Sequence, residues 1–296
     1  MYELIQISQN DYYIQSPAKI GLVKTSEQEV CLIDSGNDKD AGKKVKKILD
    51  ANGWTLRAIY NTHSHADHIG GNRYLQTQTG CCIYAPGIER DLTEHPVLEP
   101  SYLYGGNPPK DLRHKFLMAQ ESDVLPLTPE VLPAGWEEIS LPGHSFAMKG
   151  FRTPDGNVYL ADCLSSRETL EKYRISFLVD VQEYLKTLDD VKEMEAELFI
   201  PAHAAAAGKE EIASLAQYNT NCVLQIADRI LSICRQPVTW DEVLKELFDG
   251  YGLELNFEQY VLTGSTVRSY LTWLKETGRL QAEFADNRLL WKTILS

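Results

Sequence analysis

No apolar run in this 296-residue chain approaches the ~18–20 residues that cross a bilayer, which excludes a helical membrane span. The opening residues, MYELIQISQNDYY, lack both a basic n-region and an apolar h-region, so no secretion signal is read there and a cytoplasmic location is expected. Positive charge is scarce: 29 Lys and Arg stand against 42 Asp and Glu, a net charge of −13. That balance favours solubility and repels phosphate backbones, making nucleic acid a poor default partner. Cysteine pairing is missing too. Cys31, Cys81, Cys82, Cys163, Cys222 and Cys234 form no CxxC pair, and without a secretion signal they are expected as free, mostly buried thiols. Internal repeats and low-complexity stretches are absent. Hydrophobic residues make up 43% of the chain, enough for a sizeable core and too many for wholesale disorder.

The first 35 residues read as strands: Tyr2–Ile7, Tyr12–Gln15, Ile20–Lys24 and Val30–Asp34, divided by turn residues. Ala41, Val45, Ile48 and Leu49 repeat at helical spacing before Gly53, so a helix is expected over Lys39–Asn52. Its Lys43, Lys44, Lys46 and Lys47 form a solvated face. A strand at Arg57–Tyr60, a helix at Asn72–Thr79 and a strand at Cys81–Tyr84 follow. Residues 86–130 hold seven prolines and read as a long irregular insert, a lid or pocket wall. Strands are expected at Glu137–Leu141, Asn157–Ala161 and Leu198–Ile200, and helices at Val181–Glu195 and Lys209–Cys234. Pro237 marks a boundary. Domains are placed at 1–235 (insert about 86–130) and 236–296. In the second, Thr239 and Ser265 are expected to cap helices, Gly278 to stop the latter, and Ala285-Asp286-Asn287 to turn a hairpin. That order outlines a winged helix.

The chemistry concentrates in Asn61-Thr62-His63-Ser64-His65-Ala66-Asp67-His68-Ile69-Gly70-Gly71. In an extended loop, residues two apart point the same way, so His63 and His65 can hold one ion. Asp67 and His68, displaced along the loop, can face a second. Imidazoles with a carboxylate suit zinc, with iron or manganese as alternatives. Only seven His occur in the chain, so a chance H-x-H-x-D-H is rare. His144, Asp162 and His203 each lie at or just beyond the end of an expected strand, where sites of layered α/β folds gather. His95 and His114 are read as surface or loop residues, and Cys163 as a packing thiol.

This set resembles the metallo-β-lactamase fold superfamily: H-x-H-x-D-H, then Gly143-His144, then Asp162, then His203, with Asp34 and Gly70-Gly71 also matching, over residues ~1–208. The resemblance implies an α/β fold, a four-layer αββα sandwich, here carrying a small winged-helix-like C-terminal domain. It implies that His63, His65 and His144 bind a first metal, Asp67, His68 and His203 a second, and Asp162 both. Two divalent ions would make hydroxide available near neutral pH and polarise a carbonyl oxygen, with Asp67 as the catalytic proton acceptor. The expected activity is hydrolysis of a small ester, thioester or lactone.

The Thr62–Gly71 run is similar to the glyoxalase II branch. However, the Gly following the second Gly-His motif is missing from Gly143-His144-Ser145-Phe146-Ala147-Met148, and the branch's glutathione-binding basic residues have no match. Tyr102, Tyr104, Lys110 and Arg113 are instead candidates for binding an anionic group. Two other classes stay open: a mononuclear-iron persulfide dioxygenase-like enzyme, and an endoribonuclease or winged-helix binding protein. His65 stands where flavodiiron oxidoreductases carry Glu, which disfavours them. The tail from Gln236 has six basic against nine acidic residues, which argues for packing or homodimer formation over phosphate docking.

Overall fold

The computed structural model describes residues 2–294. Seven strands form the first sheet, in sequence order: β1 (Glu3–Gln6), β2 (Asp11–Gln15), β3 (Ile20–Lys24), β4 (Glu29–Ile33), β5 (Thr55–Tyr60), β6 (Cys82–Ala85) and β7 (Leu125–Pro126). β1 to β4 pair antiparallel through short turns, whereas β4 to β7 are parallel. Parallel neighbours need crossovers. These are α1 (Lys39–Asn52), the pair α2 (Ala66–Ile69) and α3 (Asn72–Thr79), and then α4 (Gly87–Glu94) with α5 (Leu98–Tyr104). The second sheet holds β8 (Glu137–Ser140), β9 (Lys149–Arg152), β10 (Val158–Ser165) and β11 (Phe199–His203), in the order β11-β10-β9-β8. α6 (Arg167–Tyr173) and α7 (Val181–Glu193) join β10 to β11, and α8 (Lys209–Ile233) follows. α9 (Trp240–Tyr251), α10 (Phe257–Glu276) and the hairpin β12 (Leu280–Ala285)–β13 (Arg288–Thr293) end the described chain.

Side-chain alternation places the layers. Along β4, Cys31 and Ile33 face the second sheet with Phe151, Tyr159 and Ile200, while Val30 and Leu32 face Val45, Leu49 and Leu75 of α1 and α3. The outer face of the second sheet packs on Tyr184, Leu188, Ile226 and Ile230 of α7 and α8. The result is the four-layer αββα sandwich. α1 forms where helical spacing expected it, capped by the Asp38 carboxylate at the Asp40 and Ala41 amides and stopped by Gly53 at φ 67°.

Three expectations are corrected. Residues 86–130 are not a long irregular insert, since α4, α5 and two short 3-10 turns (Lys110–Leu112, Pro129–Val131) order much of them. Their prolines misled because Pro86 precedes α4 and Pro100 falls in the first turn of α5, where an amide has no helical partner to lose. Ser265 is no cap. It lies inside α10, which starts at an Asn256 cap accepting from the Gln259 amide. β9 and α6, unforeseen in the sequence, complete the second sheet and its crossover.

No break in the core marks residue 235. Val243, Leu247, Val267, Tyr270 and Leu274 share one cluster with Leu160, Tyr184 and Ile226. The hairpin turns at Asp286 and Asn287, both at positive φ (49° and 60°), and ties back to α8 through Thr293 N donating to the Cys234 carbonyl at 2.8 Å. Residues 295–296 of the expected second domain lie outside the described residues. Among the described residues, no helix is long and apolar enough to cross a membrane.

Candidate metal centre

The C-terminal ends of β4 and β5 lie side by side, and so do those of β10 and β11. Loops leaving these four ends meet at one rim of the sandwich. Asp34 follows β4 at φ 64°, with its side chain buried, and organises the first loop. It accepts from Thr62 N, Thr62 Oγ1 and His68 Nδ1, each at 2.8 Å. Gly71 lets the loop close on the strand end, because a Cβ there would lie 2.3 Å from the Ser35 carbonyl oxygen.

Hydrogen-bond partners decide which nitrogen each ring presents. The one Thr62 hydroxyl proton goes to Asp34, so His63 Nδ1, 2.9 Å from that oxygen, is a donor and its Nε2 a lone-pair acceptor. His144 Nδ1 donates to the Phe177 carbonyl at 3.1 Å, and His203 Nδ1 to the Pro17 carbonyl at 3.1 Å. Their Nε2 atoms therefore face inward. His65 Nδ1 sits 3.0 Å from both His63 Nε2 and His144 Nε2. It can donate to one of them at most.

Two donor sets result. Ligand atoms of His63, His65, His144 and Asp162 lie within 4.8 Å of one another, and so do those of Asp67, His68, Asp162 and His203. Asp162 belongs to both. Its Oδ1 is 3.1 Å from His68 Nε2, and its Oδ2 is 3.3 Å from His203 Nε2 and 3.5 Å from His144 Nε2. Asp67 Oδ2 lies 3.1 Å from His203 Nε2. The expected strand end at Ala161 is instead an irregularity inside β10, where Ala161 takes φ 49° and the pairing with β11 shifts register, re-aiming the next side chain. His68 Nε2 and Asp162 Oδ1 are buried without a hydrogen-bond partner. Buried polar atoms left so are costly, and a cation between the convergent atoms would satisfy them. The donor set fits divalent metals.

Protonation divides the cluster. Burial pushes His63 down, and His65 and His144 down to about 4, so all three are neutral, the ligand form. The Asp162 carboxylate pushes His203 up to about 10. Burial opposes charging His68, but Asp162, Asp67 and Asp34 together outweigh it and raise it well above its ordinary value. Asp162 is held well below the carboxylate range, because His203 and His68 overcome its own burial.

Other residues escaped sequence reading. Glu89, fully buried in α4, ties the two ligand loops together. One carboxylate oxygen accepts from Ser64 N (3.1 Å) and Ser64 Oγ (2.7 Å), and the other from Ala147 N (2.9 Å) and the Ser145 hydroxyl. Glu89 shares a face with buried Leu92 and Thr93, a signal legible only once α4 is known. Lys19 braces the other end by donating to the carbonyls of Pro201 (3.3 Å) and Ala204, on either side of His203. Gly143, at φ 113°, brings the His144 loop against α7, where a Cβ would meet Tyr184 N at 2.3 Å.

His95 is exposed and His114 pairs with Glu258 at 2.9 Å, so neither joins the site. Lys110 and Arg113 are exposed, and Tyr104 packs edge-on to Phe257. Cys163 is fully buried in the core. A cavity of about 200 Å³ opens onto His144, Asp162 and His203.

Comparison with known proteins agrees with this geometry. A hydroxyacylglutathione hydrolase of Methylococcus capsulatus is 46% identical over 46 residues, 16% of this chain and 18% of that protein. The chain thus spans about a fifth of the length of the curated relatives it matches. In fold, a beta-lactamase domain protein from Burkholderia ambifaria superposes with a TM-score of 0.75 at 15% identity, over 99% of this chain and 94% of the other. A metallo-beta-lactamase family protein from Thermus thermophilus gives 0.70 at 14% identity, over 99% and 98%. The sequence description of the metallo-beta-lactamase superfamily matches residues 15–203, from β2 through the last candidate ligand, His203. A match over more than half the chain, on this sandwich, makes the protein a member of the metallo-beta-lactamase superfamily.

Proposed function

We propose that the chain is a dinuclear metal hydrolase of small esters, thioesters or lactones. His63, His65 and His144 would hold one ion, Asp67, His68 and His203 the other, and Asp162 would be shared. One observation carries the reading. Three imidazole nitrogens converge at 3.0 Å, two of them acceptors by their outer partners, so a single ring proton cannot satisfy them and a cation can. When bound, two divalent ions (zinc suits this donor set) lower the pKa of water and polarise the substrate carbonyl. The protein's own part is orientation. Asp34, Thr62, Phe177 and Pro17 aim the imidazoles through their outer nitrogens, a support that tunes ligand basicity. Asp67, the more solvent-exposed of the two carboxylates, would orient the attacking water and accept its proton. Water adds oxygen to the carbonyl carbon, the C–O or C–S bond breaks, and the departing alcohol or thiol takes a proton, leaving a carboxylic acid.

The hydroxyacylglutathione hydrolases support the thioester class over the short stretch they share with this chain. The α9–α10–hairpin segment is read as a winged-helix-like packing module. Elemental analysis of protein purified without chelators tests the metal content, followed by a thioester, ester and lactone panel. Two zinc per chain and turnover are expected. One iron per chain with oxygen uptake would overturn the reading in favour of oxygen chemistry.

A further inference from the structure

The cavity at the metal cluster has one wall from outside the family-matched segment. It is lined by the candidate ligands His144, Asp162 and His203, by Leu164, Ile175 and Phe177, and by Gln259, Leu262 and Thr263 of α10. The remaining lining is hydroxyl-bearing and uncharged, and no Lys or Arg is part of it. None of the four anion-binding candidates lines it: Lys110 and Arg113 are exposed, Tyr104 packs on Phe257, and Tyr102 packs edge-on to Phe146 of the His144 loop.

Several contacts fix α10 in place. Val261 and Leu262 pack with Leu103, Leu112 and Leu117 from the segment after β6, and Glu258 pairs with His114. Further along, Thr266 Oγ1 accepts from Leu178 N at 3.1 Å, and Ser269 Oγ donates to the Val179 carbonyl at 2.8 Å. These bonds hold the segment whose Phe177 carbonyl orients His144. The wall is therefore part of the site's frame.

We propose that Gln259, Leu262 and Thr263 of α10, together with Leu164, Ile175 and Phe177, form the acyl pocket and select an uncharged apolar acyl group. This proposal rests on the hydrolase reading above. An aliphatic chain there removes apolar surface from water, whereas a carboxylate held against these residues, away from His203 and the metal ligands, would be desolvated with no Lys or Arg to meet it. Selectivity thus comes from the C-terminal segment, and the cavity is matched poorly to acyl groups that end in an anion.

The test uses two thioesters of N-acetylcysteamine that differ in one charge, S-hexanoyl and S-adipoyl, with zinc-loaded full-length protein. The hexanoyl compound is expected to exceed the adipoyl one at least tenfold in kcat/KM. Leu262→Asp should collapse that ratio and Gln259→Lys should narrow it, because each places a charge in the wall. Equal rates, an adipoyl preference, or a ratio untouched by both variants would overturn the proposal. If neither thioester is cleaved, the thioester part of the hydrolase reading fails by itself and the pocket is judged by binding. Saturation-transfer NMR with hexanamide on the metal-free protein should show binding that Leu262→Asp weakens at least tenfold. Absence of that loss overturns the pocket.

Discussion

At the scale of single residues, protonation decides how the centre takes up metal. His63, His65 and His144 are held neutral by burial, while His68 and His203 are held protonated by the shared carboxylates. Metal binding must displace protons only from the second pair. Calorimetric zinc titration at pH 7 in buffers of different ionisation enthalpy should therefore show about two protons released per chain loaded from the imidazoles, and about one more from the water that ionises. The pH dependence of the metal-free fold follows with its sign. His203 is raised from its ordinary 6.5 to about 10, so its contribution is complete below pH 6.5 and lost as pH rises through 10. Metal-free protein should lose thermal stability between about pH 6.5 and 10, and His203→Gln should flatten that slope. Glu89 is a further residue-scale case. Glu89→Ala would strand three buried donors and one half-buried donor on two loops and is expected to cost about 2–4 kcal/mol in denaturant unfolding. It should also weaken zinc binding in a chelator competition by about 10–100-fold, the range for outer-shell losses.

Among elements, the loop carrying His144 depends on one glycine. Gly143→Ala puts a side chain at φ 113° and a Cβ 2.3 Å from a backbone nitrogen of α7. The expected result is about 2–4 kcal/mol of destabilisation and a loss of metal stoichiometry, read by unfolding and elemental analysis. Elements with strong local signals were legible without tertiary information. α1 has its apolar stripe, its Asp38 cap and its glycine stop, and the expected hairpin forms on Asp286-Asn287. α4 and α5 were illegible because their prolines sit before or within the first turn, where they are tolerated, yet read as breakers in sequence. The early part of α10 was missed because Ser265 reads as the cap of a helix that begins eight residues earlier. Packing overrides the local signal, with Trp240 Nε1 donating to the Gly264 carbonyl at 3.0 Å and the indole filling the space a Cβ would occupy.

The whole molecule is one continuous packing problem. α9 and α10 bury Val243, Leu247, Tyr270 and Leu274 in the cluster that also holds Tyr184 and Ile226 behind the second sheet. A chain ended after Cys234 would expose that surface and lose the α10 wall of the site. It should aggregate or unfold without a cooperative transition, whereas the full chain should show one. Recovery of a soluble, cooperatively folding 1–234 fragment would show that the C-terminal segment is a separable domain.

The sequence by itself determined the candidate ligands and their order, because H-x-H-x-D-H, His144 and His203 take five of only seven His, with Asp162 between the last two. It also determined the strongly periodic elements, whose signals are local. The tertiary structure alone decided which nitrogen each imidazole presents, since that depends on the carbonyls of Phe177 and Pro17, far from His144 and His203 in the chain. It alone placed Glu89 between two ligand loops and laid α10 across the cavity. The reason is separation: these contacts join segments tens to over a hundred residues apart, and only the closing of two sheets into one sandwich brings them together.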